Sequence, residues 1–255
     1  MLTQERQAAI LQLLLEKGSI SVTDLTALLN SSDSTIRRDL NALDAQGLLH
    51  KVRGGATALE NRFSREENEV AVRYKLYREE KAIIAKEAAA LVKPGDLVYI
   101  DAGTTTERMT DFLTCTDAVY MTNGIQIARK LARHGLTVYV PAGRIKNVTE
   151  AIVGGETHIS LLRYNFTLGF FGTNGITLHE GFTTPDPAEA RVKSTALSHC
   201  QRRIVLADPS KFGALSAVSF AKLSEAEIMT TKQPDPQYRN TTTILLAGEK
   251  AEFST

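Results

Sequence analysis

The sequence contains no tryptophan and only two cysteines in 255 residues. Cys115 and Cys200 lie far apart and belong to no C-x-x-C or Cys/His cluster, which argues against a disulfide framework and a structural zinc site. We expect both thiols to be buried and unreactive. The five histidines are scattered without ligand spacing, and we predict no bound metal.

Long hydrophobic runs are also absent. The longest ones, such as 88–92 and 244–247, are far shorter than the roughly 20 residues that a membrane helix needs. The first residues carry no basic flank followed by a pure apolar stretch, which argues against a secretory signal. We expect a cytoplasmic protein with no membrane partner, and the 43% of hydrophobic residues is ordinary for a globular chain.

An excess of one charge is lacking too, because the net charge is only +1. A dedicated DNA-binding protein often has a strong basic excess, so composition alone predicts no nucleic-acid partner. Local charge matters more, since only the Lys and Arg side chains that face phosphates contribute to binding. Four of them, Arg37, Arg38, Lys51 and Arg53, lie within seventeen residues near the N terminus.

The N-terminal segment has the spacing of three helices and a hairpin. Helix one is predicted to end near Lys17, where a glycine follows. Ser21 has the position of an N-cap for helix two, with Asp24 three residues later as in a capping box. Helix three is predicted from about Asp33 to Gln46, again before a glycine.

A short turn between two such helices is typical of a helix-turn-helix, in which the second helix enters the major groove of DNA. The stretch 48–56 then alternates and turns at paired glycines, as a small basic β-wing would. Trihelical bundles with a few arginines also mediate protein contacts, and spacing alone leaves that alternative open. The predicted DNA contacts are Ser32, Ser34, Thr35, Arg37, Arg38, Lys51 and Arg53.

Residues 1–58 are thus predicted to form a winged helix-turn-helix domain, 59–72 a polar linker and 73–255 a larger domain. The larger domain is expected to begin with a helix that turns Ile83 and Ile84 inward and charged residues outward. The charged residues placed on this solvated face are Arg73, Lys75, Arg78, Glu79, Glu80, Lys81, Lys86 and Glu87.

Buried strands then alternate with helical stretches, the pattern of an α/β domain with a mostly parallel sheet covered on both faces. The predicted strands are 97–100, 118–121, 136–140, 166–171, 203–207 and 242–246.

The glycine spacing of 169–175 does not fit a dinucleotide fingerprint, so we exclude NAD and expect no cofactor. Glu189 and Lys193, four residues apart on a predicted helix, suit a modest surface ion pair.

Ligands of such sheets bind at the carboxyl ends of the strands, where helix N-termini present free amides to anions. Several glycine-bearing polar loops fall there and suit a small phosphorylated ligand. Each could instead be an ordinary turn, and Asp208 with Lys211 a surface ion pair. The candidate ligand residues are Asp101, Gly103, Thr104, Thr105, Thr106, Thr122, Asn123, Gly143, Gly172, Thr173, Asp208 and Lys211.

The residues of 34–40 (S-T-I-R-R-D-L), followed by Gly47-Leu48 and the run R-G-G-A at 53–56, resemble the DNA-binding domain of the DeoR family of bacterial repressors. The D-x-G-T-T-T run at 101–106, the later T-N and the D-x-S-K-F-G run at 208–213 resemble the sensor domain of the same family. The resemblance covers nearly the whole chain. It implies a homo-oligomeric repressor of operator DNA and a sensor fold similar to ribose-phosphate isomerases.

The resemblance also implies a phosphorylated sugar as effector. The stretches 1–6, 172–176 and 181–185 are most similar to fructose-operon repressors, which favours fructose 1-phosphate. Two residues depart from this pattern: Thr167 stands where many relatives carry an aspartate, and Ala142 where many carry a glycine. Tagatose 6-phosphate is therefore the alternative effector. A sugar-phosphate isomerase is a further alternative of another class, and its base would come from Asp101, Asp186, Glu189 or Asp208.

Overall fold

The structure, a computed structural model, describes residues 2–46, 48–57 and 73–248. The chain divides into two compact units, Met1–Leu76 and Tyr77–Thr255. The predicted linker 59–72 lies outside the described residues. Over the described ranges, every helix is too short or too polar to cross a membrane.

The N-terminal unit has the three helices and the hairpin that the sequence predicts, and a third strand completes its sheet in the antiparallel order β1-β3-β2. Strand β1 escaped sequence analysis because it has only three residues and depends on a distant partner. That partner needs Gly55, where a Cβ would lie 2.3 Å from the Ile20 carbonyl oxygen. The elements are α1 (Thr3–Lys17), β1 (Ser19–Ser21), α2 (Val22–Leu29), α3 (Asp33–Ala45), β2 (His50–Val52) and β3 (Gly55–Thr57).

Hydrogen-bonded caps fix where α2 and α3 begin. The Ser21 hydroxyl accepts a hydrogen bond from the Asp24 amide at 3.0 Å, as predicted. Ser32 caps α3 in the same way, accepting from the Thr35 amide at 3.3 Å. Such caps satisfy amides that have no partner inside the helix.

A buried ion pair joins α1 to α3. The Arg6 Nε donates to Asp39 Oδ2 at 2.6 Å, and Gln7 Nε2 donates to the other carboxylate oxygen at 3.2 Å. The Arg6 and Asp39 side chains are only 10% and 3% exposed. Both oxygens of Asp39 are therefore held by α1, which fixes α3 against the core formed by residues such as Leu25 and Leu40.

The C-terminal unit is built on a seven-stranded sheet of order β15-β14-β12-β9-β4-β5-β6, in which all pairings are parallel. This confirms the predicted α/β class, with strand ends that agree with the predicted ones or differ by up to three residues. Strand β14 was not predicted. The seven strands are β4 (Leu97–Ile100), β5 (Val119–Thr122), β6 (Thr137–Tyr139), β9 (Phe166–Gly172), β12 (Cys200–Leu206), β14 (Glu227–Thr230) and β15 (Ile244–Leu246).

Two small antiparallel sheets accompany the large one and were not predicted either. The first has the order β10-β11-β13 and the second pairs β7 with β8. Their strands are β7 (Arg144–Ile145), β8 (Ile152–Val153), β10 (Gly175–Thr177), β11 (Gly181–Thr184) and β13 (Val218–Ala221).

Helices and apolar cores cover both faces of the large sheet. Along β4, Val98 and Ile100 pack into one core with Ile84, while Tyr99 packs into the other with Ala190. The helices of this unit are α4 (Arg78–Ala89), α5 (Thr104–Arg108), α6 (Ile125–Arg133), α7 (Gly155–Leu161), α8 (Pro187–Ser198) and α9 (Pro236–Arg239).

Two assignments on α4 are wrong. Lys81, placed on the solvated face, is buried with 2% exposure, and Ile83, placed inward, is 41% exposed. Lys81 shares the buried stripe of Ile84, Ala85 and Ala88, at the three- and four-residue spacing of one helix face. Its Nζ donates to the Thr104 hydroxyl at 3.3 Å, a contact between helices that sequence periodicity does not report.

The two cysteines differ in their surroundings. Cys200 is buried, as predicted, its Sγ donates to the Ala196 carbonyl at 3.1 Å, and burial raises the pKa of its thiol to about 12. Cys115 is only partly buried, contrary to expectation.

Replacing Asp39 by alanine leaves the Arg6 charge buried without its carboxylate. We expect a loss of about 3 to 5 kcal/mol in the unfolding free energy of the N-terminal unit, measured by urea unfolding of the full chain with far-UV circular dichroism. Asp33→Ala is the control, because its ion pair with Arg37 is exposed and screened by solvent, so we expect a much smaller loss. Equal losses in the two variants would contradict the role of the buried pair.

Candidate functional site

Helix α3 has one buried and one exposed face. Ile36, Leu40 and Leu43 face the core, as predicted, and so does Asp39. Ser34, Arg37 and Arg38 are exposed, whereas Thr35 is half-buried. The predicted DNA contacts on the helix therefore mostly lie on its solvent side.

The first turn of α3 is organised by hydroxyl groups. Ser32 Oγ lies 3.1 Å from Ser34 Oγ and 2.8 Å from Thr35 Oγ1. Arg37 is bound by Asp33 through two hydrogen bonds, one of them at 3.3 Å, and the bond to that carboxylate raises the pKa of the guanidinium. The Arg37 fork is thus held in place on the exposed surface.

The wing lies beside the same helix. The Lys51 amide donates to Asp44 Oδ1 at 3.0 Å, and its ammonium donates to Asn41 Oδ1 at 2.5 Å. Arg53 is exposed at the tip, next to Gly54, whose φ of +90° favours glycine. Asn41 was not among the predicted DNA contacts, although its spacing from Arg37 and Arg38 along the helix places it on the exposed face.

In the C-terminal unit, Asp101, Thr173 and Asp208 follow three neighbouring strands of the large sheet, β4, β9 and β12. They lie at the carboxyl edge, where ligands of open α/β sheets bind. The Thr173 hydroxyl contacts the carbonyls of Gly175 in β10 and Thr183 in β11, at 2.9 and 3.1 Å.

A buried ion pair lies at this edge. Lys193 Nζ donates to Asp101 Oδ2 and, at 3.1 Å, to the Gly172 carbonyl, and the Gly172 amide donates to the same Asp101 oxygen at 3.0 Å. Asp101 and Lys193 are 1% and 4% exposed. Burial raises the pKa of the Asp101 carboxyl, and the charge of Lys193 opposes the rise.

The predicted surface pair of Glu189 and Lys193 is therefore wrong. Lys193 lies on the side of α8 that packs against the sheet, and Glu189 binds another lysine. Lys146 Nζ lies 3.1 Å from Glu189 Oε1 and 3.0 Å from Asp186 Oδ2. Thr149 also donates to Glu189, at 2.9 Å. These bonds tie the loop after β7 to the first turn of α8.

The first turn of α5, which follows Gly103, directs some of its polar side chains into the protein. The Thr106 hydroxyl is fully buried and contacts the carbonyls of Asp101 and Gly103 at 2.6 and 2.9 Å. Thr105 is buried, and Thr104 accepts the hydrogen bond from Lys81. Gly103 precedes α5 and has an extended backbone.

Asn123 and Thr122 hold the loop after β5. Asn123 Oδ1 accepts from the Tyr99 hydroxyl at 3.0 Å and the Ala102 amide at 2.9 Å, and its Nδ2 donates to Ile152 at 3.3 Å. Thr122 accepts from the Gly124 amide at 3.0 Å. Both are buried, and their polar atoms bind groups of the protein itself, mostly backbone.

Gly143 lies apart from these contacts. Its φ is +149°, and a Cβ there would lie 2.1 Å from the Thr157 hydroxyl and 2.8 Å from Ile152 Cγ2. Both the backbone conformation and the close approach of Thr157 therefore require glycine. Neither neighbour was among the candidate ligand residues.

Asp208 is a buried carboxylate at this edge. It is 1% exposed, and its Oδ1 accepts from the Ser210 amide at 3.1 Å and from the Ser210 hydroxyl. Its Oδ2 has no hydrogen-bond partner in the described part of the chain, and Lys211 Nζ lies 4.0 Å away, too far for a hydrogen bond. A buried carboxylate oxygen of this kind suits a ligand hydroxyl. Burial and the Asp208 charge raise the pKa of nearby Tyr77.

A polar groove of about 700 Å³ lies at the opposite, amino edge of the sheet. Arg202 and Glu227 in its wall bind each other through two hydrogen bonds of 2.7 and 2.9 Å. The groove contains none of the candidate ligand residues. In the described ranges, no three His, Cys, Asp or Glu side chains are grouped to hold a metal ion.

Comparison with known sequences assigns both units. Residues 77–233 match the family model of the DeoR C-terminal sensor domain, and residues 6–62 match that of the DeoR-like helix-turn-helix domain. The chain belongs to the DeoR family. As a member, it is a transcriptional regulator with a helix-turn-helix DNA-binding domain and a sensor domain.

Relatives match over almost their whole length. The chain is 40% identical over 241 residues to the uncharacterized HTH-type transcriptional regulator FruR of Bacillus subtilis (strain 168), covering 94% of this chain and 95% of that protein. It is 31% identical over 235 residues to the lactose phosphotransferase system repressor of Streptococcus mutans, covering 91% and 93%.

Solved structures that match include ribose 5-phosphate isomerase A from Neisseria gonorrhoeae, at 16% identity and a TM-score of 0.40, covering 56% of this chain and 55% of that one. A structural similarity of this size does not establish a shared activity.

Replacing Lys193 by methionine leaves Asp101 buried without its cation. The folded-state pKa of Asp101 then rises above its unfolded value, so stability is retained at low pH and lost as the pH rises through the folded pKa. We expect the variant to lose about 3 to 5 kcal/mol at pH 8 and less at pH 5, measured by urea unfolding. Asp101→Asn in the same chain should remove the pH dependence of the loss. A loss that is equal at both pH values would contradict the buried pair.

Proposed function

We propose that this DeoR-family regulator represses a sugar-utilisation operon, binding operator DNA through α3 and the wing and releasing it when a sugar phosphate occupies the carboxyl edge of the sensor sheet. The observation that carries this proposal is Asp208, a buried carboxylate whose Oδ2 has no hydrogen-bond partner among the described residues and lies 4.0 Å from Lys211 Nζ. It lies in a chain whose other unit exposes basic side chains on a helix-turn-helix.

The chemistry of the edge supports a phosphorylated polyol as effector. Lys211 is half-buried there and supplies a positive charge to a phosphate. Asp208 Oδ2 accepts a hydrogen bond from a sugar hydroxyl. The first backbone amides of α5, which follow Gly103 and have no acceptor inside the helix, add further donors. One end of the ligand is thus anionic and the other carries hydroxyl groups.

Fructose 1-phosphate is the favoured effector. The similarity to the regulator named FruR supports a sugar of the fructose group, and the sequence resemblance points to fructose-operon repressors. The similarity to a lactose phosphotransferase system repressor keeps tagatose 6-phosphate as the alternative.

Three of the four candidate bases of an isomerase are held in ion pairs, and the fourth, Asp208, is the carboxylate that we assign to a sugar hydroxyl. Asp101 is bound by Lys193, and Asp186 and Glu189 are bound by Lys146. We propose that the protein binds the sugar phosphate without converting it. It acts as a cytoplasmic homo-oligomer in which effector binding and DNA binding are coupled by about 1 to 3 kcal/mol, a 5- to 150-fold change in operator affinity.

Titration of the protein on DNA from upstream of its own gene tests the switch. With fluorescence anisotropy at fixed salt, we expect release by fructose 1-phosphate and no release by fructose 6-phosphate, tagatose 6-phosphate or fructose. Release by tagatose 6-phosphate alone would select the alternative effector. Tight binding that none of the four sugars changes would overturn the proposed effector class.

Two substitutions separate the two sites. Arg38→Ala should weaken operator binding by about 1 to 3 kcal/mol if the side chain reads a base, and should weaken binding to all sequences alike if it meets phosphate. Lys211→Ala should leave operator binding unchanged and weaken the response to the sugar phosphate. Each variant is the control for the other. Loss of operator binding in Lys211→Ala would show that this lysine has a structural role instead.

A further inference from the structure

The exposed face of α3 has a centre and two flanks. Successive residues of an α-helix are rotated by about 100°, and the buried face is marked by Ile36 and Leu40 together with Asp39 and Leu43. The positions opposite that face are Ser34, Arg38, Asn41 and Ala45, and the first three carry polar side chains. Arg37 lies on one flank, next to Asp33, which binds it.

Asn41 is joined to the wing. Its side-chain oxygen accepts a hydrogen bond of 2.5 Å from Lys51 Nζ. The wing strand is fixed in turn by the bond from the Lys51 amide to Asp44, one helical turn further along α3. The side-chain amide of Asn41 therefore has its oxygen on the wing side and its NH2 group on the other.

We infer that Asn41 reads an adenine in the major groove and that Lys51 is the residue that positions its amide. This inference rests on the proposed operator binding. An asparagine pairs with adenine through two hydrogen bonds, one donated by its NH2 to N7 and one accepted by its oxygen from the N6 amino group. The oxygen has two lone pairs, and Lys51 occupies one of them.

Lys51 links base reading to backbone binding. An ammonium has three N–H donors, and the bond to Asn41 uses one. The other two are available for a phosphate next to the base that Asn41 reads. A lysine that meets phosphate contributes about one unit to the salt dependence of binding. Lys51 thus has two effects that separate measurements detect.

The test compares operator variants in which each base pair is changed in turn, with full-length protein at fixed salt. Asn41→Ala should lose about 5- to 150-fold in operator affinity and should no longer discriminate at one adenine position of each half-site. Discrimination elsewhere and binding to unrelated DNA should stay unchanged. Asn41→Asp should prefer cytosine there, because a carboxylate accepts a hydrogen bond from the cytosine amino group.

Lys51→Ala should weaken discrimination at the same base pair and lower the salt slope by about one. Lys51→Arg, which still donates to Asn41, should restore the discrimination. The double variant of Asn41 and Lys51 should discriminate no worse at that position than Asn41→Ala alone. Lys17→Ala is the matched control, since it removes one exposed positive charge at the end of α1, outside both α3 and the wing, and should leave base discrimination unchanged.

The outcomes separate this inference from the proposed function. If the natural protein binds all base variants equally, sequence-specific operator binding itself fails. If the natural protein discriminates and Asn41→Ala discriminates equally well at every position, the role of Asn41 is overturned. If Lys51→Ala lowers the salt slope but keeps the discrimination, the positioning role of Lys51 is overturned.

Discussion

A charge buried in a protein needs a partner, and the sensor unit depends on one such pair. The Asp101 carboxylate and the Lys193 ammonium are both removed from water, where either alone would be costly. Their contacts with the Gly172 backbone bring together the ends of β4 and β9 and the inner side of α8. The shape of the carboxyl edge follows from this arrangement.

The N-terminal unit obeys the same constraint with other residues. Asp39 lies on the buried face of α3 and is held by Arg6 and Gln7 of α1. Without Arg6 and Gln7, the Asp39 carboxylate would be more stable in water than in its buried position. Because these contacts fix the rotation of α3, they also decide that Arg38 and Asn41 face solvent. A buried polar contact thus determines which side chains are available for binding.

The polar groups at the carboxyl edge divide into two sets. Asn123, Thr122 and Thr106 use their side chains to hold backbone atoms of neighbouring loops. Asp208 instead keeps one buried oxygen without a hydrogen-bond partner among the described residues. Residues of the first set shape the edge, and a residue of the second has bonding capacity left for a ligand. Any coupling to operator binding is reciprocal, since the effector and the DNA must change each other's affinity by the same factor.

The sequence by itself determined the features that depend on neighbours along the chain. Helical spacing and the Ser21 cap located the N-terminal helices, and apolar runs located six of the seven strands of the large sheet, because these signals are local. Only the tertiary structure decided that Lys81 and Lys193 are buried, that Asn123 faces inward and that β14 joins the sheet. A charged residue on a helix is solvated by default, and only the elements packed against that helix can supply the partner that makes its burial favourable.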